Sequence, residues 1–146
     1  VLVKFINQQE KYDCGHACIA MLSGKSIEEI KQKIGYPKSL HAKHIVRFNR
    51  KFSFFTIVDH YDYNEGINFA NYVWLVNIEC EKNKNERHWV IFDCRVVDEE
   101  SLVSYYKTVY DPHQSVNISM KVWNWLDSEK EKGFDWEPIY VIQVKL

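Results

Sequence analysis

The rhythm of apolar and polar positions changes about halfway along the chain. In the first half apolar residues recur at helical spacing, and in the second they alternate or run together as strands do. Residues 3–6, Val-Lys-Phe-Ile, read as a short opening strand. Residues 14–23 predict a helix with Ala17, Cys18, Met21 and Leu22 on one stripe, Asp13 as N-cap and Gly24 as its stop. Ser26-Ile27-Glu28-Glu29 carries the reciprocal Ser/Glu pattern of a capping box and predicts a second helix ending at Gly35, with Pro37 beyond it. A third helix is predicted over 39–51, with Leu40, His44, Ile45 and Phe48 on one side, then a strand over 52–58 and a polar loop over 59–66.

From Tyr72 onward the β signal dominates. Residues 72–80 are a β-rich run, 81–86 a charged turn, and 88–95 a strand in which Trp89 and Ile91 alternate against Val90 and Phe92. A further strand is predicted over 102–110, broken by Asp111-Pro112. Residues 119–132 predict a surface helix carrying Val122, Trp123 and Leu126, and 138–146 a final strand. Helices first and strands later imply an α+β domain over residues 1–146, with N-terminal helices packed on a mostly antiparallel sheet.

Composition narrows the function classes. A chain of 146 residues with 46% hydrophobic and 15% aromatic content is large enough to build a core without disulfides. A formal net charge of −1 gives no electrostatic footprint for nucleic acid or an anionic membrane. No apolar run approaches membrane-spanning length, so no membrane insertion is expected. Of the four cysteines, Cys18, Cys80 and Cys94 read as buried, reduced packing thiols, which favours a reducing, cytoplasmic setting.

The fourth cysteine, Cys14, sits where a polar loop turns into the first helix. A free thiol titrates near about 8.5, and the unpaired N–H groups of a helix start favour the thiolate. Gly15 beside it is expected to let the backbone approach a substrate closely. Gln8, six residues earlier, offers a neutral amide that can donate to an oxyanion, and Gln9 is an equally placed alternative. His88 opens a predicted strand after a polar loop and can act as base; His16, His41, His44, His60 and His113 compete with it. Asp111 ends an apolar strand and can fix an imidazole tautomer, although an aspartate before proline is also common turn chemistry. Cys14, His16 and Cys18 offer three zinc-ligand types, but their spacing suits a loop rather than a helix and no second compact pair completes a tetrahedron. There is no phosphate-binding glycine loop or dinucleotide fingerprint.

Taken together, Gln8, Asp13-Cys14-Gly15-His16-Ala17-Cys18-Ile19-Ala20-Met21, His88-Trp89-Val90-Ile91 and Asp111-Pro112 resemble the C39 family of papain-like cysteine peptidases. That resemblance implies a papain-like fold and hydrolysis of a peptide or protein substrate without metal or organic cofactor. Cys14 would be the nucleophile, His88 the base, Asp111 its orienter, and Gln8 with the Cys14 N–H the oxyanion donors. The family's transporter-fused members cleave after a double glycine; this chain carries none of their membrane or ATPase segments, so the resemblance does not carry a substrate across. The same thiolate could also serve a glutamine deamidase or acyltransferase, or the fold could persist as a peptide-binding domain without catalysis.

Overall fold

The computed structural model describes residues 3–82, 86–95, 108–113, 116–118 and 122–146. Three helices come first: α1 (Cys14–Ser23), α2 (Ile27–Ile34) and α3 (Ala42–Phe52). Strands β1 (Thr56–Asp62), β2 (Val73–Cys80), β3 (Arg87–Asp93), β4 (Thr108–Tyr110) and β5 (Val116–Ile118) follow, then α4 (Val122–Glu131) and β6 (Trp136–Lys145). The strands form one antiparallel sheet in the order β1-β6-β2-β3-β4-β5, so the last strand lies between β1 and β2. This is the α+β architecture that the sequence pattern implies.

The strand alternation sorts the core into two layers. Leu75, Trp89, Ile91, Ile142 and Val144 point to the face covered by α1 and α2, where Ala17, Cys18, Ile19, Ile27 and Ile30 meet them. Val76, Ile78, Val90, Phe92 and Val141 point to the opposite face, where Trp125 and Leu126 of α4 and Phe69 cover them. A sheet buried on both sides explains why β2 is apolar almost without interruption.

Both helix stops fall where the glycines place them. Gly24 and Gly35 adopt left-handed conformations, φ 71° and 65°, and each returns its N–H to a carbonyl of the last turn. The Ser26/Glu29 capping box is present on α2. Other expectations need correction. Residues 3–6 form no strand; Val3 is apolar because it is buried on the helix-covered side of the core, with Phe5 and Ile6 packed against that layer. The third helix begins at Ala42, because Leu40 is drawn into the core and its carbonyl accepts the Trp89 Nε1–H at 2.8 Å. It runs on through Phe52, and Asn49 closes the following turn by bonding both the N–H and the C=O of Phe55. The strand predicted over 52–58 is therefore displaced to Thr56–Asp62, and half of the predicted polar loop is strand. A sheet edge with an irregularity between Ile57 and Asp59 tolerates that polar composition. On α4 the buried anchors are Trp125 and Leu126. The side chains of Val122 and Trp123, and most of the strand predicted over 102–110, lie outside the described residues.

Gly15 holds a different place from the one expected of it. It is buried, and a Cβ there would stand 3.1 Å from Leu40 Cβ and 3.3 Å from Trp89 Cδ1. Its missing side chain lets the loop before α3 and strand β3 close on the first turn of α1, instead of admitting a substrate. Gly15→Ala is expected to cost about 1–3 kcal/mol through overpacking. A lowered urea midpoint at unchanged slope is the readout, and an unchanged midpoint would show that Leu40 and Trp89 yield freely.

Candidate active site

Cys14 is the first residue of α1, and the bonding around it explains how it is held. Asp13 occupies the N-cap position, but its side chain does not cap the helix. The Asp13 carboxylate turns back to accept the Glu10 N–H at 3.0 Å and pairs with Lys31 Nζ of α2 at 2.8 Å. The first-turn amides of α1 thus carry no side-chain acceptor from the N-cap, and their partial positive charge is left at the thiol. The Asp13 side chain is fully buried. Lys31→Ala would strand that carboxylate and is expected to cost about 3 kcal/mol. Adding Asp13→Asn should recover part of the loss, and a double-mutant cycle in denaturant measures the coupling; additive losses would mean that the pair does not hold the turn.

His88 comes from the start of β3, opposite Ile78 of β2, and Asp111 follows the end of β4. The His88 Nε2–H donates to Asp111 Oδ1 at 2.6 Å, and the Asp111 carboxylate is almost wholly buried. The His113 backbone N–H reaches the same oxygen at 2.9 Å, so Oδ1 is fixed by two donors. With Nε2 committed to Asp111, Nδ1 is the ring nitrogen left for the thiol, and Cys14 borders the same cleft, near enough for its thiol to raise the His88 pKa. Burial pulls the His88 imidazole down, but the hydrogen bonds and charges of Asp111 and Cys14 outweigh it and push the group up to about 9. His88 is therefore an imidazolium near neutral pH, beside a thiol at a positive helix end.

The surroundings tie the two halves of this group to one another. The Cys18 thiol, one turn along α1, donates to the Trp89 carbonyl at 3.4 Å, and Asn77 of β2 donates to the His88 carbonyl at 3.2 Å. The Trp136 ring lies 5.8 Å from the His88 ring, and Phe134 stacks on Trp136 with rings 4° from parallel. These aromatics limit water around the imidazole and place a π face near its charge. Sequence reading did not find them, because residues 134 and 136 approach His88 only through the β6–β2–β3 pairing.

Gln8 lies in the same cleft of about 970 Å³ as Cys14, His88 and Asp111. Its backbone N–H donates to the Pro112 carbonyl at 2.8 Å, which ties the loop before α1 to the turn after Asp111. Its side-chain Nε2 donates to the Glu10 carbonyl at 3.0 Å and more distantly, at 3.5 Å, to that of Lys11. Gln9 also borders the cleft but is exposed, so Gln8 is the more firmly held of the two.

The competing histidines separate. His16 is buried and bonds the Tyr36 carbonyl through Nε2 at 2.8 Å, turned away from Cys14, and burial lowers its pKa. His44 and His60 lie away from the Cys14 cleft, His60 bonding the Tyr140 hydroxyl. His41 and His113 border it. Cys14, His16 and Cys18 do not converge on a metal position: the first meets His88, the second Tyr36 and the third Trp89. Cys18, Cys80 and Cys94 are buried free thiols, and burial raises Cys18 and Cys94 far above the usual thiol range. Among the described residues no helix is long and apolar enough to cross a membrane.

Helices packed on one antiparallel sheet, with a cleft bordered by Cys14, His88 and Asp111, fit the papain-like class of cysteine peptidase folds. The model of the Peptidase C39 family matches residues 2–103, and the chain belongs to that family of cysteine peptidases. The match takes in Gln8, Cys14 and His88, while Asp111 lies beyond it and joins them through the geometry. No curated protein matches the chain.

Proposed function

We propose that the protein hydrolyses peptide bonds through a Cys14–His88–Asp111 triad. The observation that supports this reading is the position of His88, bonded to a buried carboxylate at 2.6 Å in the same cleft that Cys14 borders at the start of α1. Cys14 attacks the scissile carbonyl as the thiolate and forms the C–S bond of a tetrahedral intermediate. The developing oxyanion is met by the Cys14 N–H and by the Gln8 amide, whose second N–H turns from the distant Lys11 carbonyl toward substrate. His88 passes its Nδ1 proton to the leaving amine, the C–N bond breaks, and a thioester remains. Neutral His88 then takes a proton from water, whose oxygen attacks the thioester; the C–S bond breaks, the acid product leaves, and Cys14 returns as the thiolate beside protonated His88. Asp111 keeps the proton of Nε2 in place throughout, so Nδ1 is always the nitrogen that exchanges.

The test is selective alkylation followed by a peptide-library digest. Iodoacetamide at mildly acidic pH should modify Cys14 ahead of Cys18, Cys80 and Cys94, and cleavage should fall in step with the modified fraction. Cleavage that persists after complete Cys14 modification would exclude the thiol mechanism.

A further inference from the structure

The Cys14 cleft does not stop at the triad. Past His41, Asn77 and Arg87 it opens into a second groove of about 800 Å³, which continues by way of Val46, Arg50 and His60 to the edge strand β1. α3 forms its wall, and β1, β2 and β6 supply its floor. Lys43, Arg47 and Arg50 stand at i, i+4 and i+7 on α3 and so share the face that lines the groove. All three are exposed, and none forms an ion pair among the described residues. Arg87 adds a fourth cation where groove and cleft join.

This charge is local, and at Lys43 it works against the helix that carries it. The chain as a whole has a net charge of −1, yet α3 contains no Asp or Glu. Like charges one turn apart repel, and Lys43 sits in the first turn, at the positive end of the helix dipole. The field is felt nearby: His44 is held below the usual imidazole range first by burial, then by His41, Lys43 and Arg47. The acidic side chains of the groove do not pair with these cations: Glu79 is 3.5 Å from Arg87, and Asp62 and Asp59 line the groove and its continuation without an ion pair to Lys43, Arg47 or Arg50. Arg50, in the last turn, suits the helix dipole, but Lys43 and Arg47 gain no partner within the described fold.

Resting on the peptidase reading above, we propose that the α3 groove is a secondary subsite for an acidic stretch of the substrate polypeptide, remote from the scissile bond. An extended segment leaving the cleft past Arg87 would run along α3, with Asp or Glu side chains meeting Arg47 and Arg50 in forked, charge-assisted hydrogen bonds. Continuity with the Cys14 cleft favours the substrate itself over a free polyanion as the occupant.

The test uses the full chain in two forms. Cys14→Ala, which binds without turnover, is titrated at low salt with fluorescent peptides of equal length rich in Glu, in Lys or in Ser, and with a single-stranded oligonucleotide. The Glu-rich peptide should bind tightest. Arg47→Glu with Arg50→Glu, both at exposed positions, should weaken it at least tenfold and leave the Ser-rich peptide unchanged. In the active chain the same pair should lower cleavage of acidic library members through KM, with kcat and Cys14 alkylation unaltered. Equal binding of all three peptides, indifference to the charge reversal, or a preference for the oligonucleotide would overturn the proposal. Cleavage without any charge preference would sink the subsite and leave the peptidase standing; acidic-peptide binding without cleavage by the active chain would do the reverse.

Discussion

Cys14→Ala is expected to bring peptide hydrolysis to the uncatalysed background, a fall of about 10⁵-fold or more in kcat. The size follows from the route: without sulfur there is no thioester, and none of the other three thiols can stand in. Cys18 is buried against the Trp89 carbonyl, and Cys80 and Cys94 are buried as well. The substitution should leave the fold in place, because Cys14 contributes only a small buried side chain to the helix-covered core layer where that layer meets the cleft. Wild-type and variant chains with matching thermal transitions and a 10⁵-fold gap in cleavage rate would fit the proposed role. Matching cleavage rates would remove Cys14 as the nucleophile.

Changes at Asp111 should separate orientation from charge. Asp111→Ala removes the acceptor that fixes His88 Nε2–H and leaves the His113 N–H without its partner, so kcat should fall about 10²–10⁴-fold. Asp111→Asn keeps an oxygen that both donors can share and should cost far less at neutral pH. Its signature lies instead in the pH profile. Wild-type activity should decline on the alkaline side near about 9, where His88 loses its proton, and removing the carboxylate charge should move that limb toward lower pH. Stability should follow with the same sign. The folded chain holds the His88 proton more tightly than the unfolded chain does, so this contribution is full below about 6.5 and lost as pH rises through about 9. An alkaline limb that stays fixed in Asp111→Asn would mean that a group other than His88 sets it.

Much of this could be read from residue order, for definable reasons. Helices α1 and α2 carry their own start and stop chemistry, so Gly24, Ser26, Glu29 and Gly35 mark their ends within a residue or two. Cys14, His88 and Asp111 could be chosen because each sits where an element begins or ends, and such positions bring side chains to one rim of a sheet. The features that escaped depend on distant partners. Lys31 looks like an ordinary helix cation until α2 packs beside the turn holding Asp13. Gly15 looks like a substrate-facing glycine until Leu40 and Trp89 fill the space above it. Polar residues 59–62 look like loop because a strand on a sheet edge has no need of two apolar faces. The charged groove could be suspected from Lys43, Arg47 and Arg50, but its link to the cleft depends on β2, β3 and β6 converging below α3.

The bond from the Cys18 thiol to the Trp89 carbonyl has a further consequence. It ties the residue one turn after Cys14 to the residue directly after His88, across 71 positions of sequence. Non-local contacts of this kind tend to form slowly, so the pair is expected to meet late in folding. On the proposed mechanism Cys14 has no base until His88 arrives, so a newly made molecule would be poorly equipped to digest its unfolded neighbours. Chemical competence would arrive together with the finished sheet, making alkylation rate a clock for the last stage of folding.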